Sequence, residues 1–237
     1  MEVHHHPHVE KKSFKEYFLE FIMIFLAVTL GFFAENVREG INNRETERKN
    51  METVLTNLKS DTTQLNDIIQ FNYSRIKGFD SMNSFRYQNL TDTTILKKFN
   101  AFLNSALTFD YFRTSRAAID QMKSTDGFRL VKKEGVVDSI FAYEDYNGLL
   151  DLNTEYLDYF QRRVFDLYEK LFQQEALIET SGTISKNKEL LNEFFNALSD
   201  LNAGLKTFYT PHLELQLQKA SRLIDLINHQ YDLKQSQ

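Results

Sequence analysis

The chain has 237 residues, 42% of them hydrophobic and 26% charged, with a net charge of -5. Eight glycines and two prolines are too few for the turn-dense chemistry of sandwiches and barrels, so an all-α protein of few, long helices is expected. The absence of cysteine excludes disulfides, thiolate metal sites and cysteine nucleophiles, and the acidic balance gives no support to nucleic acid as a partner.

Residues 1–13 form a histidine-rich tail. His4, His5, His6 and His8 offer imidazole ligands, but a mobile tail must be ordered to bind and has no second shell to select a metal. They are weak metal candidates, and no metal or cofactor is expected.

From Tyr17 to Ala34 the sequence reads YFLEFIMIFLAVTLGFFA, with Glu20 as its only charge. A helix of that length spans roughly 27 Å, the thickness of a hydrocarbon core. It is apolar on every side, where a helix packed on a protein surface would keep a polar face. Residues 14–36 are therefore read as a transmembrane helix in contact with the lipid bilayer, with Tyr17, Phe21, Phe25, Phe32 and Phe33 as anchor residues. Lys11, Lys12 and Lys15 precede the span as they would in a signal peptide, but the Phe32–Phe33 pair spoils a small-residue cleavage site, which favours an uncleaved signal-anchor. Arg38, Arg44, Arg48 and Lys49 follow it, so the positive-inside rule does not discriminate. The short basic tail favours a cytoplasmic N-terminus and an exported C-terminal domain at the bacterial cytoplasmic membrane. Within the span, Glu20 either snorkels to the interface or meets a partner. Ala27 and Gly31 form a small-xxx-small pair for close helix approach, so Glu20, Ala27 and Gly31 are the candidate helix–helix contacts.

Nothing stops this helix after Ala34. Val37, Ile41, Met51, Leu55, Leu58, Leu65, Ile68, Ile69, Ile76 and Phe79 recur at three- and four-residue steps, with Gly40 and Gly78 as places to bend. Residues 37–90 are expected to form a polar stalk and the first long helix. Residues 91–237 are expected to form an antiparallel helical bundle. A helix capped at Thr91 or Asp92 carries Ile95, Leu96, Phe99, Phe102, Leu103 and Leu107. A short helix from Thr114 to Ser124 ends at Thr125-Asp126-Gly127, where the glycine is available for a left-handed cap. Phe128–Val131 reads as a strand-like connector, and a helix follows over Lys133–Tyr146. Another runs from Leu150 through Leu177 and Ile178 to Ser181-Gly182, and one from near Ser185 reaches Phe208. The last has Thr210 as its cap, Pro211 at its first position, and reaches Tyr231.

The anchor EYFLEFIMIFLAVTLGFFAENVRE and the stretch Ser115–Tyr146 together resemble a family of bacterial, N-terminally membrane-anchored helical proteins that carries a domain of unknown function. The matching piece of that family reads approximately Lys-Ser-Ser-Gly-Asn-Leu-Arg-Leu-Ile, followed by a helix ending in paired tyrosines. Here Lys123 to Val131 stands in its place, with one extra turn residue and Phe128 for a leucine. The resemblance implies an anchored helical domain and brings no activity with it.

The remaining chemistry is sparse. No nucleophile-elbow, phosphate-loop or dinucleotide-binding motif occurs, and Glu144, Asp145, Asp151, Glu155 and Asp158 fall at the spacing of solvated helix faces. Arg129, in an apolar connector, reads either as a buried pair with Asp120 or Glu134 or as a contact for an anion. Arg113, Arg116 and Lys123 on the preceding helix complete a candidate basic cluster with it. Tyr143, Tyr146, Tyr156, Tyr159 and Phe160 are read as core. The expected function is a non-enzymatic, single-pass membrane protein acting through contacts with itself or with other membrane protein subunits. The alternative is an exported ligand-sensing bundle that signals through a partner.

Overall fold

The computed structural model of the protein describes residues 13–172 and 187–233, apart from the side chains of residues 104–106. The four tail histidines, Leu177, Ile178, Ser181-Gly182 and the expected helix start at Ser185 lie outside the described residues. Every element is helical: α1 (Phe14–Asn83), a 3₁₀ turn (Ser84–Tyr87), α2 (Thr93–Leu107), α3 (Ala117–Ser124), a second 3₁₀ turn (Gly127–Leu130), α4 (Val136–Leu171), α5 (Lys188–Gly204), a π turn (Leu205–Tyr209) and α6 (Thr210–Tyr231). The chain divides into two compact units, Met1–Lys49 and Asn50–Gln237.

In the first unit, α1 starts with half of a capping box. The Glu16 carboxylate accepts from the Ser13 backbone N–H at 2.7 Å. The helix passes through Gly40 without a break. No part of its apolar window is buried, and it is long and apolar enough to cross a membrane. Thr29, the hydroxyl within this stretch, donates to the Phe25 carbonyl at 2.8 Å and so needs no outside partner. Beyond it, Val37 and Ile41 are exposed, and the polar turns carry the pairs Arg38–Glu35 and Lys49–Glu45. Such solvent-facing pairs contribute little stability.

In the second unit, α1 follows a heptad. Met51, Val54, Leu58, Asp61, Leu65, Ile68, Asn72, Arg75, Phe79 and Met82 alternate at three- and four-residue steps, and each is 2% exposed or less. The later helices pack against this stripe and form two apolar cores. One gathers Met51, Val54 and Leu58 with Ile119, Met122, Ile140, Leu223 and Ile227. The larger one gathers Leu65, Ile68, Phe79 and Phe85 with Phe99, Leu157, Phe194, Phe195, Leu201 and Leu213. Removing a buried leucine from such a core costs about 2–5 kcal/mol, because the lost apolar contact adds to the cavity left behind.

Several local expectations are corrected. Asp92 caps α2, accepting from the Thr94 and Ile95 N–H groups, but α3 begins at Ala117 and not at Thr114. Thr114 and Ser115 are held by Asp61, which keeps them out of the helix. In the following turn, Asp126 takes the left-handed conformation (φ 57) in place of Gly127. Gly127 is there for space, since a Cβ on it would lie 3.2 Å from both Met122 Cα and Asn50 Nδ2. Residues 128–131 are not strand-like: Arg129 and Val131 donate backwards to Asp126 and Phe128 and close 3₁₀ turns. The helices expected over 133–146 and from 150 onward are one helix, α4. It starts after Gly135 (φ 73) and continues through Gly148 because both of its flanks are anchored in the two cores.

The boundary expected at Thr210 is also absent. Gly204, Tyr209 and Thr210 all keep right-handed helical angles, so α5, the π turn and α6 form a continuous rod. Pro211 has no N–H to give to the preceding turn and its ring crowds the carbonyl four residues back. The wider π turn makes room for it where an α-helix would kink.

Candidate functional site

The outward face of the first unit holds the predicted anchor residues. Tyr17, Phe21, Phe25, Phe32 and Phe33 are each more than half exposed. Ala27 and Gly31 are exposed as well, and a Cβ on Gly31 would meet nothing within 4 Å. Glycine within a helix costs about 1 kcal/mol relative to alanine, and nothing among the described residues requires it at position 31. Glu20 is half-buried and makes an interaction of its own.

Between the two apolar cores of the second unit lies a buried polar layer built by α1, α4, α6 and the segment before α3. Asp61 is its centre. One of its oxygens accepts from the Tyr143 hydroxyl at 2.7 Å and the Thr114 hydroxyl at 2.8 Å; the other accepts from the Ser115 N–H at 2.9 Å. Asn147 donates to Thr114 Oγ1 at 3.2 Å, and the Gln216 amide donates to Asn147 Oδ1 at 2.5 Å and to the Tyr143 carbonyl at 3.1 Å. Burial, followed by the nearby Asp61 carboxylate, pushes the Tyr143 phenol far above its ordinary value. Asp61 comes from α1, Tyr143 and Asn147 from α4 and Gln216 from α6, so sliding any of these helices by a turn would strand buried polar groups. The layer fixes their register.

A second buried layer surrounds Arg75. Its guanidinium carbon lies 5.9 Å from the ring centroids of Phe71 and Phe79. Burial lowers its pKa to about 10, against the support of the Tyr111 and Tyr209 phenols, so it remains a cation at neutral pH. Tyr111 and Tyr209 meet edge to face at 6.3 Å, and Tyr209 Oη accepts from the Phe112 N–H at 3.2 Å. Burial pushes Tyr111 up to about 12 and raises Tyr209. Asn72, one turn before Arg75, is fully buried with neither end of its amide hydrogen-bonded among the described residues.

The predicted basic cluster does not come together. Arg116 pairs with Asp151 at 3.0 Å and Lys123 with Glu144 at 3.6 Å, while Arg113 lies in the extended segment, its backbone N–H held by Gln64. Arg129 is at the surface, 81% exposed, and pairs with neither Asp120 nor Glu134 but with Asp126 at 3.0 Å. The short 3₁₀ turn points it outward.

Of the aromatic residues read as core, Tyr143 is buried and Tyr146 and Phe160 are half-buried. Tyr156 and Tyr159 are exposed, because they lie on the side of α4 opposite Leu150, Leu157 and Val164. Tyr146 shares a 2.5 Å contact with His212 Nδ1. No group of three or more metal-ligating side chains is found among the described residues. Between α4 and α6 an open groove of about 390 Å³ is lined by Ser139, Ala142, Tyr143, Leu223 and Leu226, with Lys219 and Arg222 beside them.

Asp61, Asn72, Arg75, Asn147 and Gln216 were not among the residues singled out from the sequence. Their signal was present for the α1 members, since Asn72 sits on the same heptad position as Leu58, Leu65 and Phe79, and Asp61 and Arg75 on that of Val54, Ile68 and Met82. Compared with protein-family models, with curated proteins and with solved structures, the chain gives no match.

Proposed function

We propose that this is a non-enzymatic, single-pass protein of the bacterial cytoplasmic membrane, with its N-terminus cytoplasmic and its C-terminal helical domain exported. It acts through protein contacts, as a homo-oligomer or as an accessory subunit of a membrane complex. The observation that carries this reading is the outward-facing apolar surface of α1 from Phe14 to Ala34, on a helix whose later part buries its apolar stripe completely. The resemblance to the anchored family of unknown function points the same way. Gly31 supports close approach by another helix, because a side chain there would meet nothing among the described residues. The domain is read as an antiparallel bundle that holds its shape through the Asp61 layer.

A ligand-sensing role is the second reading, favoured by the groove beside Lys219 and Arg222, where two cations border an apolar floor. A sensor of that kind transmits through a partner.

Two experiments test the proposal. A reporter that works only outside the cytoplasm, fused after Gln237, is expected to be active; activity of a cytoplasmic reporter alone overturns the exported orientation. Sedimentation of the detergent-solubilised chain is expected to show association that Gly31→Leu weakens. An unchanged assembly would place the contact away from the anchor.

A further inference from the structure

Two cations stand beside an apolar groove in the helical domain. The groove runs between α4 and α6 and holds about 390 Å³, toward the lower end of the roughly 300–1,000 Å³ of small-molecule sites. It exists because α4 presents Ser139 and Ala142 to it, side chains too short to fill the space beside Tyr143 of α4 and Leu223 and Leu226 of α6. Lys219 and Arg222 line its α6 side. They are three residues apart, and residues at that spacing share one helix face with about 5–6 Å between their Cβ atoms. Two charges that close can meet on one anion.

Neither charge is neutralised within the domain. Among the described residues no carboxylate lies within ion-pair distance of Lys219 or Arg222, and Glu144, beside Tyr143 on α4, turns to Lys123 at 3.6 Å. The Lys219 ammonium instead sits 5.0 Å from the centre of the Tyr146 ring, which steadies the side chain without cancelling its charge. On the α4 wall, the half-buried Ser139 has its backbone N–H bonded to the Gly135 carbonyl, while its hydroxyl makes no hydrogen bond among the described residues. A guanidinium, an ammonium and a hydroxyl therefore border a floor that is otherwise apolar.

We propose that this groove binds a small free carboxylate, a molecule with one carboxylate group and a compact apolar body. The inference rests on the ligand-sensing reading above and names the class of ligand. The two oxygens of a carboxylate match the fork of Arg222, and Lys219 adds a second charge within reach. Phosphate is the poorer match, because it is commonly met by the free backbone N–H groups of a helix N-terminus, and the groove lies along the sides of two helices. From Lys219 to Leu226 the α6 wall runs roughly 10 Å at 1.5 Å per residue, which sets the length of the apolar body. Tyr143 joins the groove to the buried polar layer, since its hydroxyl donates to Asp61 at 2.7 Å and its carbonyl accepts from Gln216 at 3.1 Å. A ligand held against Tyr143, Leu223 and Leu226 needs α4 and α6 in their native register, so occupancy stabilises the folded domain.

The probe is phenylbutyrate, with phenylbutyramide as its uncharged counterpart. Each is titrated by saturation-transfer NMR into the detergent-solubilised full chain, with protein-free micelles as the blank. The carboxylate is expected to bind saturably, with a dissociation constant of about 1 mM for a ligand of about twelve non-hydrogen atoms. The amide should bind about tenfold more weakly, as the loss of a charge-assisted hydrogen bond implies. Arg222→Gln and Lys219→Gln should each weaken the carboxylate by about the same factor and leave the amide unchanged, a split that a merely structural role would not produce. Ala142→Phe, at an exposed position, should fill the groove and abolish binding of both probes while the helical circular dichroism is kept.

Equal affinity for acid and amide, or for the native chain and Arg222→Gln, overturns the carboxylate assignment and leaves the groove as a site for a neutral ligand. Binding that survives Ala142→Phe, or no saturable binding of either probe, overturns the ligand-sensing reading together with it.

Discussion

Two stretches of the same helix use their apolar residues in opposite ways. From Phe14 to Ala34, α1 turns large side chains outward and buries none of them; from Met51 to Met82 it gathers most of them around one heptad stripe and buries every residue of that stripe. The first stretch is the more hydrophobic of the two, and it is the one that contributes nothing to the protein's own core. Composition decides how much apolar surface there is, and periodicity decides whether the chain itself can cover it. On the proposed membrane reading, lipid covers the uniform stretch. The striped stretch holds polar residues within its seam, where Asp61 accepts from Tyr143 of α4 and from Thr114 and Ser115 of the segment before α3.

The comparison breaks most sharply at Asp61. Asp61→Ala would leave the Tyr143 and Thr114 hydroxyls and the Ser115 N–H buried without their acceptor, and is expected to cost about 3–5 kcal/mol in chemical denaturation. Next come the apolar positions. Leu58→Ala should destabilise the domain by about 2–5 kcal/mol, whereas Phe25→Ala, on the exposed stretch, should change it by less than about 0.5 kcal/mol and act on membrane retention alone.

Alkaline pH probes the buried tyrosines. Burial raises the pKa of Tyr143 and Tyr209 and lifts Tyr111 to about 12, above the ordinary 10. A pKa raised by folding contributes stability that is complete below pH 10 and is lost as pH climbs toward the folded value. Arg75 acts in the opposite sense, since its lowered pKa relieves a burial cost as pH rises above about 10, but one such group opposes several tyrosines. Phenolate absorbance from Tyr111, Tyr143 and Tyr209 is therefore expected only above the ordinary tyrosine range, as the fold gives way. A single transition near pH 10 with the helix intact would contradict the burial of these rings. The smallest effect is at Gly148, mid-α4 and open to solvent, where an added Cβ meets nothing. Gly148→Ala should stabilise the domain by about 1 kcal/mol.

The helical class, the length of α1 and the Asp92 cap were legible because each rests on local rules: apolar spacing, missing prolines and a side chain within reach of its own backbone. The errors cluster where distant residues intervene. Thr114 looks like a helix start until Asp61, more than fifty positions earlier, takes its hydroxyl. Thr210-Pro211 looks like a cap and a first turn until the π turn absorbs the proline. Tyr156 and Tyr159 read as core because aromatic content does not tell which of two apolar faces of α4 is covered. The basic residues from Arg113 to Arg129 are near one another in sequence, but Arg116 and Lys123 turn to Asp151 and Glu144 on α4, Arg129 to its neighbour Asp126, and Arg113 stays in the extended segment. The polar heptad positions of α1 could have been found in advance, since a charge at a core position predicts a buried partner.

The central claim is that the first stretch of α1 lies in a lipid bilayer. Membranes from cells expressing the full chain can be washed at alkaline carbonate, which strips proteins held by surface charge but not those that span the bilayer. The account predicts that the chain stays in the pellet, and that replacing Phe25 and Leu26 together by lysine releases it. Recovery of the unaltered chain in the supernatant would contradict the account.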